Sequence, residues 1–181
     1  MKESFKAPIL PEGVDVLYVA DIMTKLKRLA TEHKLTVLAE QDLAVTKSFT
    51  KTDFFADDVF FRAKADLLMY KPNEFAVIGD WKTGKIYDYS KDQMRLEALL
   101  VSALYNIKII HWRLFYVDQG KTVQGLVNLS QGLGCVKDLT DVMHEMQQLS
   151  ASNGPWLAKK NKFCKWCDWY HRDECKESEA W

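Results

Sequence analysis

"AVIGDWKTGK" (residues 76 to 85) runs from three apolar residues, Ala76, Val77 and Ile78, straight into Asp80, Trp81, Lys82 and a Thr-Gly-Lys turn. A short continuous apolar segment bounded by turn residues reads as a strand buried on both faces. Side chains alternate along a strand, so Asp80 and Lys82 point one way and Trp81 the other. Such a strand delivers two functional groups, rigidly placed, to the mouth of a cleft. The plain alternative is an ion pair at an exposed strand end, which contributes little.

The neighbouring segments say which strand this is. "KPNE" (71 to 74) is a turn, and "VFFRAKADLLMY" (59 to 70) before it reads as a strand that pairs with 75–81 as a hairpin. "LTVLAEQDLAVTKSF" (35 to 49) is a further strand, and Val19, Ile22, Met23, Leu26, Leu29 and Ala30 recur at helical spacing between Val16 and His33. After the TGK turn, Ser90 opens a helix with Gln93 three residues on, the capping-box spacing, and the helix runs to Tyr105. Strands are expected over 107–117 and 121–129. An amphipathic helix follows through Leu139, Val142, Met143, Met146 and Leu149. The order predicts an α/β (α+β) fold, a mixed sheet of about five strands flanked by helices. "SASNGP" (150 to 155) ends the last helix, which divides the chain into a core, 1–155, and a cysteine-rich tail, 156–181.

Composition narrows the function classes. The 181 residues are 48% hydrophobic, enough for one good core and not for two full domains. Lys and Arg balance Asp and Glu at 25 each, so no global basic field draws the chain to nucleic acid or an anionic membrane, and any such contact needs a local patch. No apolar run approaches a membrane span and the opening "MKESFKAPILPEG" lacks a signal-peptide centre, which makes a cytoplasmic location the expectation.

Asp66 interrupts the strand before Asp80, and hairpin pairing brings the two together. Neighbouring carboxylates repel unless a cation lies between them. Mg²⁺ suits the pair, because it takes one or two carboxylates and keeps waters for substrate; the backbone carbonyl of Trp81 adds an oxygen. Lys82 then stands ready to orient an attacking water or to stabilise transition-state charge.

"AKAD", then "IGDWKTGK", then "DQMRLEALL" resembles the PD-(D/E)XK nuclease superfamily, specifically its RecB-like branch, over about residues 35 to 117. The family pattern is an Asp on the second core strand, an acid-x-Lys on the third and a Gln early in the next helix, here Asp66, Asp80, Lys82 and Gln93. The resemblance implies a restriction-endonuclease-like core with Mg²⁺ or Mn²⁺ at Asp66 and Asp80. It implies a nuclease, an exonuclease acting on single-stranded DNA or the ends of double-stranded DNA, in processing or recombination. The small size of the chain suits a phage or a mobile element, and a phage-encoded protein would act in host cytoplasm. The other reading is a nuclease fold without cutting activity that holds DNA ends or a partner protein. Three positions depart from the pattern. The first helix has only His33, at its end, where a metal-binding His is usual; Glu97 stands four residues after Gln93 in place of Tyr; and Arg62 and Lys64 occupy the region where a glycine is common before Asp66.

The tail carries its own chemistry. Cys164, Cys167, His171 and Cys175 follow C-x2-C-x3-H-x3-C, four ligands suited to a structural tetrahedral Zn²⁺. The resemblance offers an iron-sulfur cluster instead, with Cys135 as the distant fourth ligand, although in that branch the distant cysteine is expected ahead of the core. Unmetallated cysteines among Phe163, Trp166, Trp169 and Tyr170 are the third reading. Lys159, Lys160, Lys162, Lys165 and Arg172 alternate with these aromatics, a pattern that suits a single nucleic-acid strand or a solvated face.

Overall fold

The computed structural model describes residues 12–132, 134, 137–152, 161 and 163–168. The chain divides into two compact units, Met1–Thr140 and Asp141–Trp181. The first unit holds α1 (Val16–His33), β1 (Thr36–Val45), β2 (Phe61–Lys71), β3 (Phe75–Lys82), α2 (Tyr89–Tyr105), β4 (Ile109–Tyr116) and β5 (Lys121–Asn128). A third helix, α3 (Lys137–Ala151), contains the boundary between the units.

The five strands form one mixed sheet in the order β1-β2-β3-β4-β5. Only β3 and β4 run parallel, and α2 makes the crossover that a parallel pair requires. Strand alternation divides the sheet's residues between two faces. On one, Met69, Val77, Phe115 and Val117 form a core with Ile22 and Leu26 of α1, and Trp81 lies on it with its ring against Phe115, centroids 4.6 Å apart. Trp81 is thus a wall residue. Ala76, Ile78 and Asp80 take the other face, towards α2, and the whole run from Ala76 to Asp80 is buried, as an apolar strand covered by helices on both sides should be.

Local chemistry sets the helix ends. Asp15 caps α1, its Oδ1 accepting the Tyr18 N–H at 3.0 Å, and Lys34 closes it in the left-handed region. The capping-box expectation for α2 is overturned: the N-cap is Asp88, Ser90 is buried inside the helix, and the Gln93 side chain is engaged elsewhere. Among the described residues no helix is long and apolar enough to cross a membrane.

At the far edge the Trp112 indole lies flat across Gly125 of β5, where a Cβ would come within 2.3 Å of the ring. Gly125→Ala must therefore displace a buried indole, and we expect a loss of about 1–3 kcal/mol, read as a lower urea midpoint at unchanged slope.

Candidate active site

Asp66 sits where the sheet's hydrogen bonding is interrupted on both sides. Towards β3, the paired register stops at Leu67–Gly79, one position short of Asp66 and Asp80. Towards β1, it passes from Ala39–Leu67 to Gln41–Ala65 and skips the place where Glu40 faces Asp66. Glu40 has φ +52°, a left-handed conformation that a non-glycine residue adopts mid-strand only under constraint. Its side chain pairs with Lys64 at 3.2 Å.

The Trp81 N–H, released from the ladder, donates to Asp66 Oδ2 at 2.9 Å. A strand residue's N–H and C=O point to the same neighbour, so the Trp81 carbonyl also turns to the Asp66 side. The Lys82 carbonyl turns the opposite way and accepts the Val117 N–H at 3.0 Å. Asp66, Asp80 and the Trp81 carbonyl, expected from sequence to act together, are brought to one opening between β2 and β3.

Across from them α2 presents Gln93, whose amide joins the remaining groups. Its Nε2 donates to Asp80 Oδ1 at 3.0 Å and to Glu97 Oε1 at 3.0 Å, while its Oε1 accepts from Lys82 Nζ at 2.9 Å. One amide orientation alone suits this arrangement, since carboxylates need the N–H groups and the ammonium needs the carbonyl. Lys82 Nζ also stands 2.8 Å from Asp80 Oδ2, so this buried oxygen is met by the ammonium and, among the described residues, by no other hydrogen-bond donor. Glu97 Oε2 is buried and has no hydrogen-bond partner among the described residues.

The electrostatics follow from this crowding. Burial raises the Asp66 carboxyl above its usual range, repulsion from Asp80 and Glu40 adds to the rise, and the Trp81 N–H opposes it. Glu97 is 2% exposed. Burial pushes it up to about 7, with Asp80 and Asp66 reinforcing and the Gln93 amide opposing. Three carboxylates thus share a region with one ammonium. Such a site favours a hard cation, and the Asp80 and Asp66 carboxylates with the Trp81 carbonyl form a donor set whose chemistry fits Mg²⁺ or Mn²⁺. Among the described residues no three His, Cys, Asp or Glu side chains form a ready cage. Two carboxylates with waters are the normal Mg²⁺ arrangement, and Glu97 stands behind them across the Gln93 amide.

Glu97 is the functional candidate that sequence reading passed over as a departure from pattern. Its signal was its place: Ser90, Met94, Glu97 and Val101 form the buried stripe of α2, and an acid in such a stripe needs a reason. His33 is excluded as a shifted ligand. Its ring meets Phe75 edge-on at 5.7 Å, at the opposite end of β3 from Asp80. The exposed Arg62 is held locally: its guanidinium lies over Phe54 and Phe55 and donates to the Phe54 carbonyl.

In the second unit Cys164 and Cys167 are half-buried thiols in no disulfide, and Cys164 Sγ accepts the Asn161 N–H at 3.2 Å. Lys165 Nζ lies 4.2 Å from the Trp166 ring centre. Cys135, His171 and Cys175, with Lys159, Lys160, Lys162, Trp169, Tyr170 and Arg172, lie outside the described residues.

A family model for the PD-(D/E)XK nuclease superfamily matches residues 2–172. Among the solved structures, one described as "Crystal structure of SSO0001" is similar at 16% identity and a TM-score of 0.42, covering 88% of this chain and 69% of that one. No curated protein matches the chain.

The raised Glu97 group makes stability pH-dependent. Between its usual pKa of 4.5 and its folded value of about 7 the native state holds a proton that the unfolded chain has lost. Cation-free protein should therefore lose stability as pH rises through that window, by roughly 3 kcal/mol from this group, and show no further change from it above. Urea unfolding from pH 4.5 to 8 checks this, and Glu97→Gln should flatten the slope.

Proposed function

The chain belongs to the PD-(D/E)XK nuclease superfamily, and from that premise we propose that it is a metal-dependent deoxyribonuclease of the RecB-like branch, an exonuclease that hydrolyses phosphodiester bonds in DNA processing or recombination. The observation that carries this reading is the Gln93-centred network, in which a buried Asp80 pairs with Lys82 at 2.8 Å, accepts from the Gln93 amide and stands opposite Asp66. An ordinary strand-end ion pair would have no reason to be buried in this way.

In this reading Asp66, Asp80 and the Trp81 carbonyl hold Mg²⁺ or Mn²⁺. When bound, such a cation acidifies a water and offsets the phosphate's charge. Lys82 directs its ammonium to the attacking water and to the oxygen on which charge builds as the new P–O bond forms and the old one breaks. Gln93 helps to aim that ammonium, because its carbonyl accepts a hydrogen bond from Lys82 Nζ at 2.9 Å while Asp80 pairs with the same group at 2.8 Å. Glu97 fixes the Gln93 amide from behind.

For the tail, residues 156–181, the proposal is a small metal-binding element in which Cys164, Cys167, His171 and Cys175 hold structural Zn²⁺. Two neighbouring thiols outside any disulfide support it. Metal analysis of purified protein should find about one zinc per chain, lost in Cys164→Ser; iron with acid-labile sulfide would favour the cluster reading instead.

Cleavage of end-labelled linear single- and double-stranded DNA tests the activity. Cutting is expected with Mg²⁺ or Mn²⁺ and not with EDTA, and Lys82→Ala should lower the rate by about a hundredfold or more. A folded protein that binds DNA tightly and never cuts would replace the enzyme with a module that holds DNA ends.

A further inference from the structure

Thr83 to Tyr89, the loop that leaves β3 beside Lys82 and enters α2, is exposed throughout. It carries unusual cargo for such a position: Ile86 is 41% exposed, Tyr87 44% and Tyr89 67%. The two tyrosine rings lie nearly parallel, 14° apart with centroids at 5.0 Å, so each shields one face of the other. Large apolar rings grouped in water mark a contact surface.

The loop is held at its base. Gly84, at φ +82°, donates its N–H to Asp118 Oδ2 at 2.7 Å, and its carbonyl accepts from the Gln119 side chain. Tyr89 stands four residues before Gln93, one turn along the same face of α2, and Gln93 touches Asp80. Lys85, in the same loop, makes no ion pair among the described residues.

We propose that the Tyr87–Tyr89 stack is a platform for an unpaired nucleobase of the strand whose phosphate enters the site, so that the substrate is delivered single-stranded. This rests on the nuclease reading above. The chemistry fits because a base in a single strand offers an open π face, whereas a base inside a duplex already has both faces covered. Lys85 supplies a cation for the adjoining phosphate, and the Gly84 turn, two residues after Lys82 and held by Asp118 and Gln119, anchors the loop that carries the rings.

The test is binding of a single-stranded oligonucleotide carrying 2-aminopurine, with Ca²⁺ in place of Mg²⁺, measured by anisotropy and by fluorescence quenching. Tyr87→Leu and Tyr89→Leu should each weaken binding about fivefold to a hundredfold and reduce quenching, while Tyr87→Phe and Tyr89→Phe retain both. Folding of each variant is checked by thermal unfolding. Leucine variants that bind and quench like the intact protein, or phenylalanine variants that fail like the leucine ones, overturn the platform. In those cases, continued Mg²⁺-dependent cutting by the intact protein leaves the nuclease reading standing. Intact protein that neither binds nor cuts DNA overturns both.

Discussion

Everything at this site depends on β2 parting from β3 at Asp66. While the ladder is intact, from Lys71–Phe75 to Leu67–Gly79, backbone groups satisfy one another and side chains only pack. One residue further the pairing ends, the Trp81 N–H goes to a carboxylate, and the Trp81 carbonyl turns to the same gap. A backbone group freed from a sheet has to find another partner. For the Trp81 N–H that partner is the Asp66 carboxylate, which links the sheet's geometry to the geometry of the site.

Holding like charges at that gap is costly, and the surroundings show how the cost is met. Asp66 is offset by one backbone N–H; Asp80 by Lys82 and the Gln93 amide; Glu97 by the same amide and, below neutral pH, by its own proton. Glu40 in its left-handed conformation adds backbone strain of about 1–3 kcal/mol on the remaining side of Asp66. Strain and repulsion gathered at one point persist only when rigid elements over-determine the geometry. Here α1 and α2 on opposite faces do so, through Met69, Val77 and Phe115 on one and Gln93 on the other.

Much of this was legible in residue order. Apolar continuity in 75–79 located the central strand, helical spacing from Val16 located α1 to its ends, and the alternation of Asp80, Trp81 and Lys82 assigned their faces correctly. What escaped was long-range. Ser90 and Gln93 have capping-box spacing, but local pattern cannot tell an amide that serves its own helix from one drawn across a cleft by Asp80, Lys82 and Glu97. Glu97 was visible only as a mismatch, because its meaning lies in burial. The left-handed Glu40 has no sequence signature, since glycine or asparagine is the residue that usually announces such a turn. His33, by contrast, was suggested by analogy alone, and its ring belongs to Phe75.

The central claim is that the parted strands form a divalent-cation site built on Asp66 and Asp80. Calorimetric titration of Mn²⁺ into the protein without nucleic acid tests it most directly, set against Asp66→Asn and Asp80→Asn. The account predicts saturable binding by the intact protein that either substitution weakens at least tenfold while the variants still unfold cooperatively. Binding unchanged in both variants, or absent from a folded intact protein, would contradict it.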